Sequence, residues 1–283
     1  MLTGPLFSIL IPTWNNLEYL KLCYRSIIEN SSHEHEILFH VNNGSDGTLE
    51  WLKENNLDFA HSKENIGICR SVNGLFSKSK CRWVLYLNDD MYVLPGWDKA
   101  LLDAVKQQQS DLFLISGTMI EHTASDNSCV VLADYGKSIE HFQEDALKAE
   151  VKKNATTDWN GATWPPSLVS RATWEKAGGF SEEFSPGMYS DPDFAMKLWQ
   201  AGCRNFHGVG NSLVYHFQAK STSKVKKNDG RKQFKKKWGI STRTFYKYYL
   251  RMGKPYCPDL EEPVATPGLI FQKIRGQLNR WFL

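Results

Sequence analysis

A buried strand that runs directly into adjacent acids is the first feature that suggests chemistry. Residues 84–97, VLYLNDDMYVLPGW, begin with apolar side chains and then place Asn88, Asp89 and Asp90 in a row before a Pro-Gly turn. Neighbouring carboxylates repel one another unless a cation offsets their charge, and hard divalent ions such as Mg²⁺ and Mn²⁺ take oxygen ligands. The motif therefore indicates either a bound divalent metal or a solvated loop in which the acids cap backbone groups.

A second acidic motif, SDPDF, lies in a block rich in Trp, Gly and Pro between residues 158 and 214. Pro192 suits the first position of a helix that continues to Gly202, so Asp191 is the predicted cap of that helix. This places Asp191 at the mouth of a cleft and not in the middle of a helix. A plain capping role is the alternative interpretation.

The elements that position these motifs follow from the alternation of apolar and amphipathic segments over the first 116 residues. This alternation is typical of an α/β fold with a mostly parallel, Rossmann-like sheet flanked by helices. We predict strands at 7–11, 36–41, 57–61, 82–87 and 112–116, and helices at 17–29, 47–54, 67–79 and 97–107. The polar, weakly periodic stretch 121–157 is predicted to be an insertion or connecting region.

Polar residues follow the carboxyl ends of the predicted strands, where ligands of such sheets bind. Thr13 and Asn15 follow the first strand, Asn43 the second, Asn65 the third and the acidic motif at 88–90 the fourth. We expect them to line one crevice. A dinucleotide fingerprint (G-x-G-x-x-G) and a P-loop (G-x-x-x-x-G-K-[ST]) are both missing from the sequence, which disfavours those two nucleotide-binding modes.

Length and composition indicate one α/β domain with a C-terminal helical appendage. The 283 residues are 41% hydrophobic and 23% charged, and no apolar run approaches the ~20 residues that span a bilayer. The first residues lack the basic region and cleavage site of a signal peptide, so we expect a cytoplasmic protein. The six cysteines form no C-x-x-C pair and are expected to be reduced and buried.

The segment 220–254 is strongly basic, with Asp229 as its one acid. Such a segment is expected to face an anionic partner. Nucleic acid is disfavoured as that partner because no recognisable binding motif accompanies the lysines. Helices are predicted at 229–238 and 243–251.

Taken together, the motifs SILIPTWNN, VNNGSDGT, ENIGICRSVN, LNDD followed by LPGW, WEKAGGF and SDPDF give the chain a resemblance to a known family. Over about residues 6–240 it resembles the inverting family-two glycosyltransferases of the GT-A fold. The resemblance implies a GT-A domain at 1–240, with a nucleotide-sugar-binding half at 1–116 and an acceptor-binding and catalytic half at 158–217. Residues 241–283 would form a C-terminal helical extension.

The resemblance also implies a donor and a cofactor. The donor would be a nucleoside diphosphate sugar, with a divalent metal, Mn or Mg, on its diphosphate. The family's D-x-D motif falls on residues 88–90, which makes Asp90 a metal ligand and, with it, His216. The first acid of that motif is Asn here. The residues that would bind the nucleotide-sugar are Pro12, Thr13, Asn15, Asn43, Asn65, Arg70, Asn88 and Asp89.

The acceptor side is assigned by the same resemblance. Asp191 would be the catalytic base that takes the proton of an acceptor hydroxyl while the anomeric carbon is inverted, and Asp193 is the second choice. Trp159 and Tyr189 would bind the acceptor, because sugars rest on aromatic faces. Lys220, Lys224 and Lys226 are candidates to stabilise the leaving diphosphate.

The acceptor itself is expected to be a glycan or a lipid-linked glycan, in bacterial surface polysaccharide synthesis. Residues 268–283 predict an amphipathic helix whose apolar stripe is Ile270, Phe271, Ile274, Leu278, Trp281 and Phe282. It would contact either an anionic membrane at the inner face of the cell or the protein's own core or a second subunit.

Two further functions remain open at this stage. Three family acids are replaced by Asn42, Asn43 and Ser190, which leaves a catalytically degenerate nucleotide-sugar-binding protein as the alternative. A nucleotidyltransferase would also use acids in an α/β crevice. Its Gly-rich basic N-terminal loop is not matched by IPTWNN.

Overall fold

The computed structural model describes residues 4–124, 127–218 and 228–282, with side chains up to residue 277. Its strands are β1 (Phe7–Trp14), β2 (Glu36–Asn42), β3 (Phe59–Ser62), β4 (Trp83–Tyr86), β5 (Met91–Val93), β6 (Phe113–Glu121), β7 (Val131–Leu132), β8 (Trp159–Asn160), β9 (Ser167–Ser170) and β10 (Asn205–His216). The helices are α1 (Leu17–Asn30), α2 (Thr48–Glu54), α3 (Gly67–Lys78), α4 (Trp97–Lys106), α5 (Glu144–Ala149), α6 (Val151–Asn154), α7 (Arg171–Ala177), α8 (Ser190–Gln200), α9 (Gly230–Trp238), α10 (Thr242–Thr244, continued by a π-helical turn at Phe245–Tyr249) and α11 (Pro267–Phe282).

The strands of the described residues form one sheet in the order β3-β2-β1-β4-β9-β6-β10-β5, with β7 paired to β6 and β8 to β10. β1 runs parallel to β2 and β4, and β6 runs parallel to β10, whereas β9 is antiparallel to both β4 and β6. The carboxyl ends of β1, β2 and β4 therefore meet at one edge. This is the mostly parallel α/β sheet that the sequence predicts.

Alternation along β1 explains why both faces of the sheet are covered. Phe7, Ile9 and Ile11 enter one apolar layer, which includes residues of α1, α2 and α4, and Leu10 enters the opposite layer, which includes residues of α3, α7 and α8. All four are fully buried. A strand buried on both faces is a nearly continuous apolar run, and FSILI departs from this only at Ser8, whose buried hydroxyl donates to Glu36.

The predicted elements of the first 116 residues are confirmed, with shifts of a few residues at their ends. The largest shift is in β6, which continues to Glu121. The strand β1 continues to Trp14 because Thr13 and Trp14 still pair with Val41 and Asn42 of β2. Thr13 thus belongs to the strand and is held by its ladder. Backbone pairing of this kind depends on a partner far along the chain, so the local pattern does not reveal it.

The stretch 121–157 has more structure than its weak periodicity indicates. It contains β7, α5 and α6, and it contributes Tyr135 and Leu147 to a third apolar cluster with Tyr92, Ile120 and Tyr215. Its first residue ends β6. The insertion therefore covers the part of the sheet where β5 and β10 pair.

The C-terminal helices pack on the same core as the sheet. Phe234 of α9, Phe245 after α10 and Leu269 of α11 lie in one apolar cluster with Trp199 and Phe206. Within the described residues, no helix is both long enough and apolar enough to cross a bilayer.

Candidate active site

Amide side chains connect the loops that follow β1 and β2. The side-chain oxygen of Asn15 accepts the backbone N–H groups of Gly44 and Ser45 at 3.0 and 3.1 Å, and its amide nitrogen donates to the side-chain oxygen of Asn43 at 3.2 Å. Asn15 and Asn43 both have positive φ, 46° and 66°, which Asn adopts more readily than most residues. The structure thus brings these two predicted site residues together.

Asn42, the neighbour of Asn43, has a structural role. It is 3% exposed, its amide nitrogen donates to the hydroxyl of Ser71 at 3.1 Å, and its oxygen accepts the backbone N–H of Ile66 at 2.9 Å. A carboxylate could not make the donated bond. Asn at this position therefore holds α3 to the strand end.

Two buried polar atoms at the end of β1 have no hydrogen-bond partner among the described residues, Thr13 Oγ1 and Asn16 Nδ2. Both lie near the Asp89 carboxylate and lower its pKa, although neither makes a hydrogen bond of good geometry to it. Burial and the adjacent Asp90 charge act in the opposite direction and raise the pKa of Asp89 to about 7. Since unpaired buried donors are rare in folded proteins, these atoms are suited to a ligand. Pro12 is buried in β1, one residue earlier.

Asp90 lies in a cluster with His216, at the end of β10, and Glu121, at the end of β6. His216 Nε2 is 3.5 Å from Asp90 Oδ2, and His216 Nδ1 is 2.8 Å from Glu121 Oε1. Burial lowers the pKa of His216, but the charges of Asp90 and Glu121 outweigh it and raise the pKa to about 10. The predicted metal ligands Asp90 and His216 are therefore neighbours.

The donor set of this cluster fits a divalent ion in part. Carboxylate oxygen and imidazole nitrogen suit Mn²⁺, and the contact to Glu121 orients the ring so that Nε2 faces Asp90, as carboxylates commonly do behind ligating histidines. No group of three or more His, Cys, Asp or Glu side chains in the described part of the chain is placed to hold a metal. An ion here would need oxygen atoms from a substrate or water to complete its shell.

Tyr86 connects the end of β4 to the first turn of α8. Its hydroxyl donates to the side-chain oxygen of Asn88 at 2.7 Å. Burial raises the pKa of Tyr86 well above its usual range, and the charges of Asp191, Asp89 and Asp90 raise it further. The Tyr86 hydroxyl therefore lies within electrostatic range of acids from both the strand end and α8.

Asp191 lies inside the first turn of α8, not at its cap, so that prediction is wrong. The helix begins at Ser190 and the cap is Tyr189, whose φ of 70° is unusual for an aromatic residue. The preceding loop is fixed on α3, because the N–H of Ile68 donates to the carbonyl of Pro186 at 2.9 Å and a Cβ at Gly67 would lie 2.8 Å from Pro186 Cα. Tertiary contacts therefore set where this helix starts.

One oxygen of the Asp191 carboxylate is without a partner, although the residue as a whole is half-buried. Its Oδ1 is buried with no hydrogen-bond partner, and Asp191 forms no ion pair among the described residues. Burial raises the pKa of Asp191 to about 7. A carboxylate with such a pKa is a stronger base than an ordinary Asp and is ionised in part at neutral pH.

Asp193, the second choice for the base, is committed to structure. It is fully buried, accepts the indole N–H of Trp238 at 2.8 Å and pairs with Lys237 at 2.9 Å. Both carboxylate oxygens of Asp193 are thus engaged by partners within the fold. The structure therefore separates two acids that the sequence leaves as competing candidates.

Asn65 and Arg70 lie at the surface. Asn65 accepts the backbone N–H of Gly67 at 2.9 Å, as an Asx turn at the start of α3. The guanidinium of Arg70 pairs with exposed Glu182 at 2.9 Å, and not with any of the strand-end residues. Their predicted contacts with a nucleotide-sugar stay predictions.

Trp159 is a core residue, so its predicted role as a platform for the acceptor is wrong. It is 5% exposed, its indole N–H donates to Thr118 at 2.9 Å, and its ring covers Gly208 so closely that a Cβ there would lie 2.0 Å away. No ring face is left for a sugar. Tyr189, in contrast, lines a cavity beside α8.

The tail helix α11 packs on the protein with one face. Leu269 and Gly276 are buried, while Ile270, Phe271 and Ile274 are 45–61% exposed. Both interpretations of the tail thus retain support from the described side chains. The side chains of Leu278, Trp281 and Phe282, and the lysines at 220, 224 and 226, lie outside the described residues.

Sequence reasoning missed Glu121 and Tyr86. Glu121 was assigned to the insertion, although the run FLISGTMIE ends on an acid in the same way as the strand before Asp89 does. Tyr86 gives no such signal, because an aromatic residue in a strand is most often core. Its role becomes visible only in the structure, where its hydroxyl donates to Asn88.

Comparison with known proteins supports the expected family. Residues 8–128 match the family model described as glycosyl transferase family 2. A curated relative, the uncharacterized protein y4gI of Sinorhizobium fredii (strain NBRC 101917 / NGR234), is 22% identical over 286 residues, which cover 95% of this chain and 30% of that protein. The chain thus spans less than a third of the length of this relative.

Solved structures with the same fold include two proteins named in complex with nucleotides. S. aureus TarS 1-349 in complex with UDP-GlcNAc has a TM-score of 0.60 at 16% identity, covering 98% of this chain and 72% of that one. GalNAc-T7 with UDP, GalNAc and Mn²⁺ has a TM-score of 0.59 at 15% identity, covering 86% and 50%. Another structure of TarS 1-349 has a TM-score of 0.55 at 15% identity, covering 75% and 60%. At these identities the likeness shows the fold.

Proposed function

We propose, from the premise that the chain carries a family-two glycosyltransferase domain of the GT-A fold, that it transfers a sugar from a nucleoside diphosphate donor to an acceptor hydroxyl with inversion. The observation that carries this proposal is the Asp191 carboxylate, whose Oδ1 is buried with no hydrogen-bond partner among the described residues. At the strand ends, Asp90 lies 3.5 Å from His216. A base and an acidic strand end that share one cleft are what such a transfer requires.

The donor would lie along the carboxyl ends of β1, β2 and β4. Thr13 Oγ1 and Asn16 Nδ2 supply buried groups without partners, and Asn15 and Asn43 form the rim above them. Asn88 is oriented by the Tyr86 hydroxyl. UDP and UDP-GlcNAc in the TarS complexes, and UDP in the GalNAc-T7 complex, support a nucleotide-containing donor.

A divalent cation would be held by Asp90 and His216, with Glu121 orienting the imidazole. The Mn²⁺ in the GalNAc-T7 structure supports this cofactor. When bound, the cation neutralises negative charge on the donor diphosphate. To act as a ligand His216 would have to give up its proton, so ion binding at this site would be coupled to proton release at neutral pH.

Asp191 would accept the proton of the attacking acceptor hydroxyl. Its raised pKa matches the working pH, since a base near pH 7 is both ionised in part and strong enough to take a proton. Attack from the α8 side, opposite the diphosphate, inverts the anomeric carbon. The buried Oδ1 of Asp191 has no partner that stabilises the charged form, which keeps the carboxylate reactive.

The acceptor would be a glycan or a lipid-linked glycan, in the synthesis of a bacterial surface polysaccharide at the inner face of the membrane. The bacterial source of the curated relative supports the setting. The exposed side chains of Ile270, Phe271 and Ile274 offer a face for peripheral contact with an anionic leaflet.

The experiment is incubation of the protein with a panel of nucleoside diphosphate sugars, with and without Mn²⁺, followed by release of nucleoside diphosphate and by melting shifts. We expect one donor to give both a metal-dependent shift and turnover. A shift without turnover for every donor and acceptor tried would favour the degenerate binding protein. No shift with any donor would contradict the proposal.

A further inference from the structure

A basic cavity lies on the acceptor side of the molecule, between α9, α10 and α11. Its volume is about 640 Å³, and five of its lining side chains are cationic. These five, the cavity cations, are Arg231, Lys235, Arg243, Lys247 and Arg275. Among the residues that the structure describes, no Asp or Glu side chain lines the cavity. The cavity therefore concentrates positive potential in one concave surface.

The charges of the cavity cations are not balanced within the protein. None of the five forms an ion pair with any acid in the described ranges, whereas Arg25 and Lys148 share Glu144 and Lys237 pairs with Asp193. The ammonium of Lys247 lies over the ring of Tyr248, 5.1 Å from its centroid, which leaves its charge available. Like charges drawn together without a counterion repel, so the arrangement favours binding of an anion.

Apolar and backbone contacts, not the charges, hold the cavity together. A Cβ at Gly276 would lie 1.8 Å from the carbonyl oxygen of Gly239, so α11 crosses the end of α9 at close range. Asn228 donates to the carbonyl of Met188 at 3.2 Å, which ties the start of α9 to the loop before α8. Leu269 is buried in the core. The cations thus converge because of packing that is independent of them.

The cavity adjoins the proposed base. Tyr189 lines it and is the cap of α8, two residues before Asp191. On the other side, Thr244 and Lys247 line the cavity while Tyr246, between them, is close enough to Asp191 to sense its charge. A group bound in the cavity would therefore lie beside the place where an acceptor hydroxyl meets Asp191.

We propose that this basic cavity binds a phosphate group of the acceptor, next to the hydroxyl that Asp191 deprotonates. The inference rests on the proposed function. Phosphate fits the lining better than a single carboxylate does, because three guanidinium groups and two ammonium groups supply more charge than one carboxylate offsets. The hydroxyls of Ser241 and Thr242 add neutral donors. The phosphate would belong either to a soluble glycan or to a lipid carrier.

The test is direct binding of inorganic diphosphate, measured by calorimetry without divalent metal so that the proposed donor site does not contribute. The variant is Arg243→Gln/Lys247→Gln/Arg275→Gln. Its matched control is Lys232→Gln/Lys236→Gln/Lys254→Gln, which removes the same charge from exposed lysines outside the cavity. We expect the cavity variant to bind at least tenfold more weakly and the control to change less than twofold.

Vesicles distinguish the two sources of phosphate. If the unmodified protein sediments with phosphatidic acid vesicles but not with phosphatidylcholine vesicles, and the cavity variant does not sediment with either, the phosphate belongs to a lipid carrier. Diphosphate binding without vesicle binding would assign a soluble acceptor. Equal weakening in both variants, or no diphosphate binding by the unmodified protein, would overturn the proposal. The diphosphate and vesicle measurements do not depend on turnover. Hydrolysis of the sugar donor by the same preparations therefore tests the proposed function independently.

Discussion

The acids at the strand ends and the acids in the first turn of α8 have opposite surroundings. Asp90 lies 3.5 Å from His216, which also contacts Glu121, so charges of both signs are shared in a cluster. In α8, Asp193 pairs with the ammonium of Lys237 and accepts the indole N–H of Trp238. Asp191, two residues earlier, has no ion pair among the described residues. The difference teaches that one residue type serves for cation binding, for structure and for proton transfer, according to its partners.

The largest expected effect comes from removing the carboxylate that has no partner. Asp191→Asn should lower kcat by about 10²- to 10⁴-fold, because a general base contributes that much. Melting temperature should not fall, since the amide removes a charge that is costly to bury. Turnover with the best donor and thermal unfolding of the same preparation give the two measurements. Activity within tenfold of the original would exclude Asp191 as the base.

Asp193→Asn is the matched control in the same helix turn. It breaks the pair with Lys237 and should cost about 3 kcal/mol of unfolding free energy, or about 6 °C or more in melting temperature. The turnover of the protein that remains folded should change far less than in Asp191→Asn. If the two variants exchange these behaviours, the assignment of the two acids is reversed.

The next effect concerns the cluster at the strand ends. Glu121→Gln should weaken Mn²⁺ binding by about 10- to 100-fold, because a carboxylate behind a ligating imidazole orients it and raises its basicity. Mn²⁺ titrations of the donor-induced melting shift measure this, with exposed Glu18→Gln as the control. Identical Mn²⁺ affinities in the two variants would mean that His216 does not bind the ion.

The smallest effect is a pH dependence to which Asp191 and Asp89, both with a pKa of about 7, should contribute. The pKa of Asp191 means that kcat/KM, measured with saturating metal, should fall at least about tenfold for each pH unit below 7 and level off above it. Asp193→Asn should keep this midpoint. A rate that stays constant down to pH 5 would show that the base titrates as an ordinary Asp.

Asp191 should also make the folding stability depend on pH, but stability should fall as the pH rises, whereas activity should increase. The pKa of Asp191 is raised from 3.8 in a freely solvated Asp to about 7 in the folded chain, so the folded state binds the extra proton and stability is lost as the pH rises between these values. The melting advantage of Asp191→Asn should therefore grow from pH 4 to 7 and then stay constant. Its limit is about 4 kcal/mol, reduced where water reaches the carboxylate.

The sequence by itself determined the fold class and most of the strand-end edge. Apolar alternation placed the strands and helices within a few residues, and the rule of strand ends put Thr13, Asn15, Asn43 and the acids at 88–90 in one crevice. These assignments depend on local hydrophobic periodicity and on the order of segments along the chain, and both can be read directly from the sequence.

Only the tertiary structure decided which of the candidates are free to react. Asp191 and Asp193 are alike in sequence, and Lys237 and Trp238, more than 40 residues further on, satisfy one and not the other. Trp159 became core and Glu121 became part of the site for the same reason. Burial and pairing depend on which distant segments pack together, and hydrogen bonds and charges decide chemistry only once that packing is fixed.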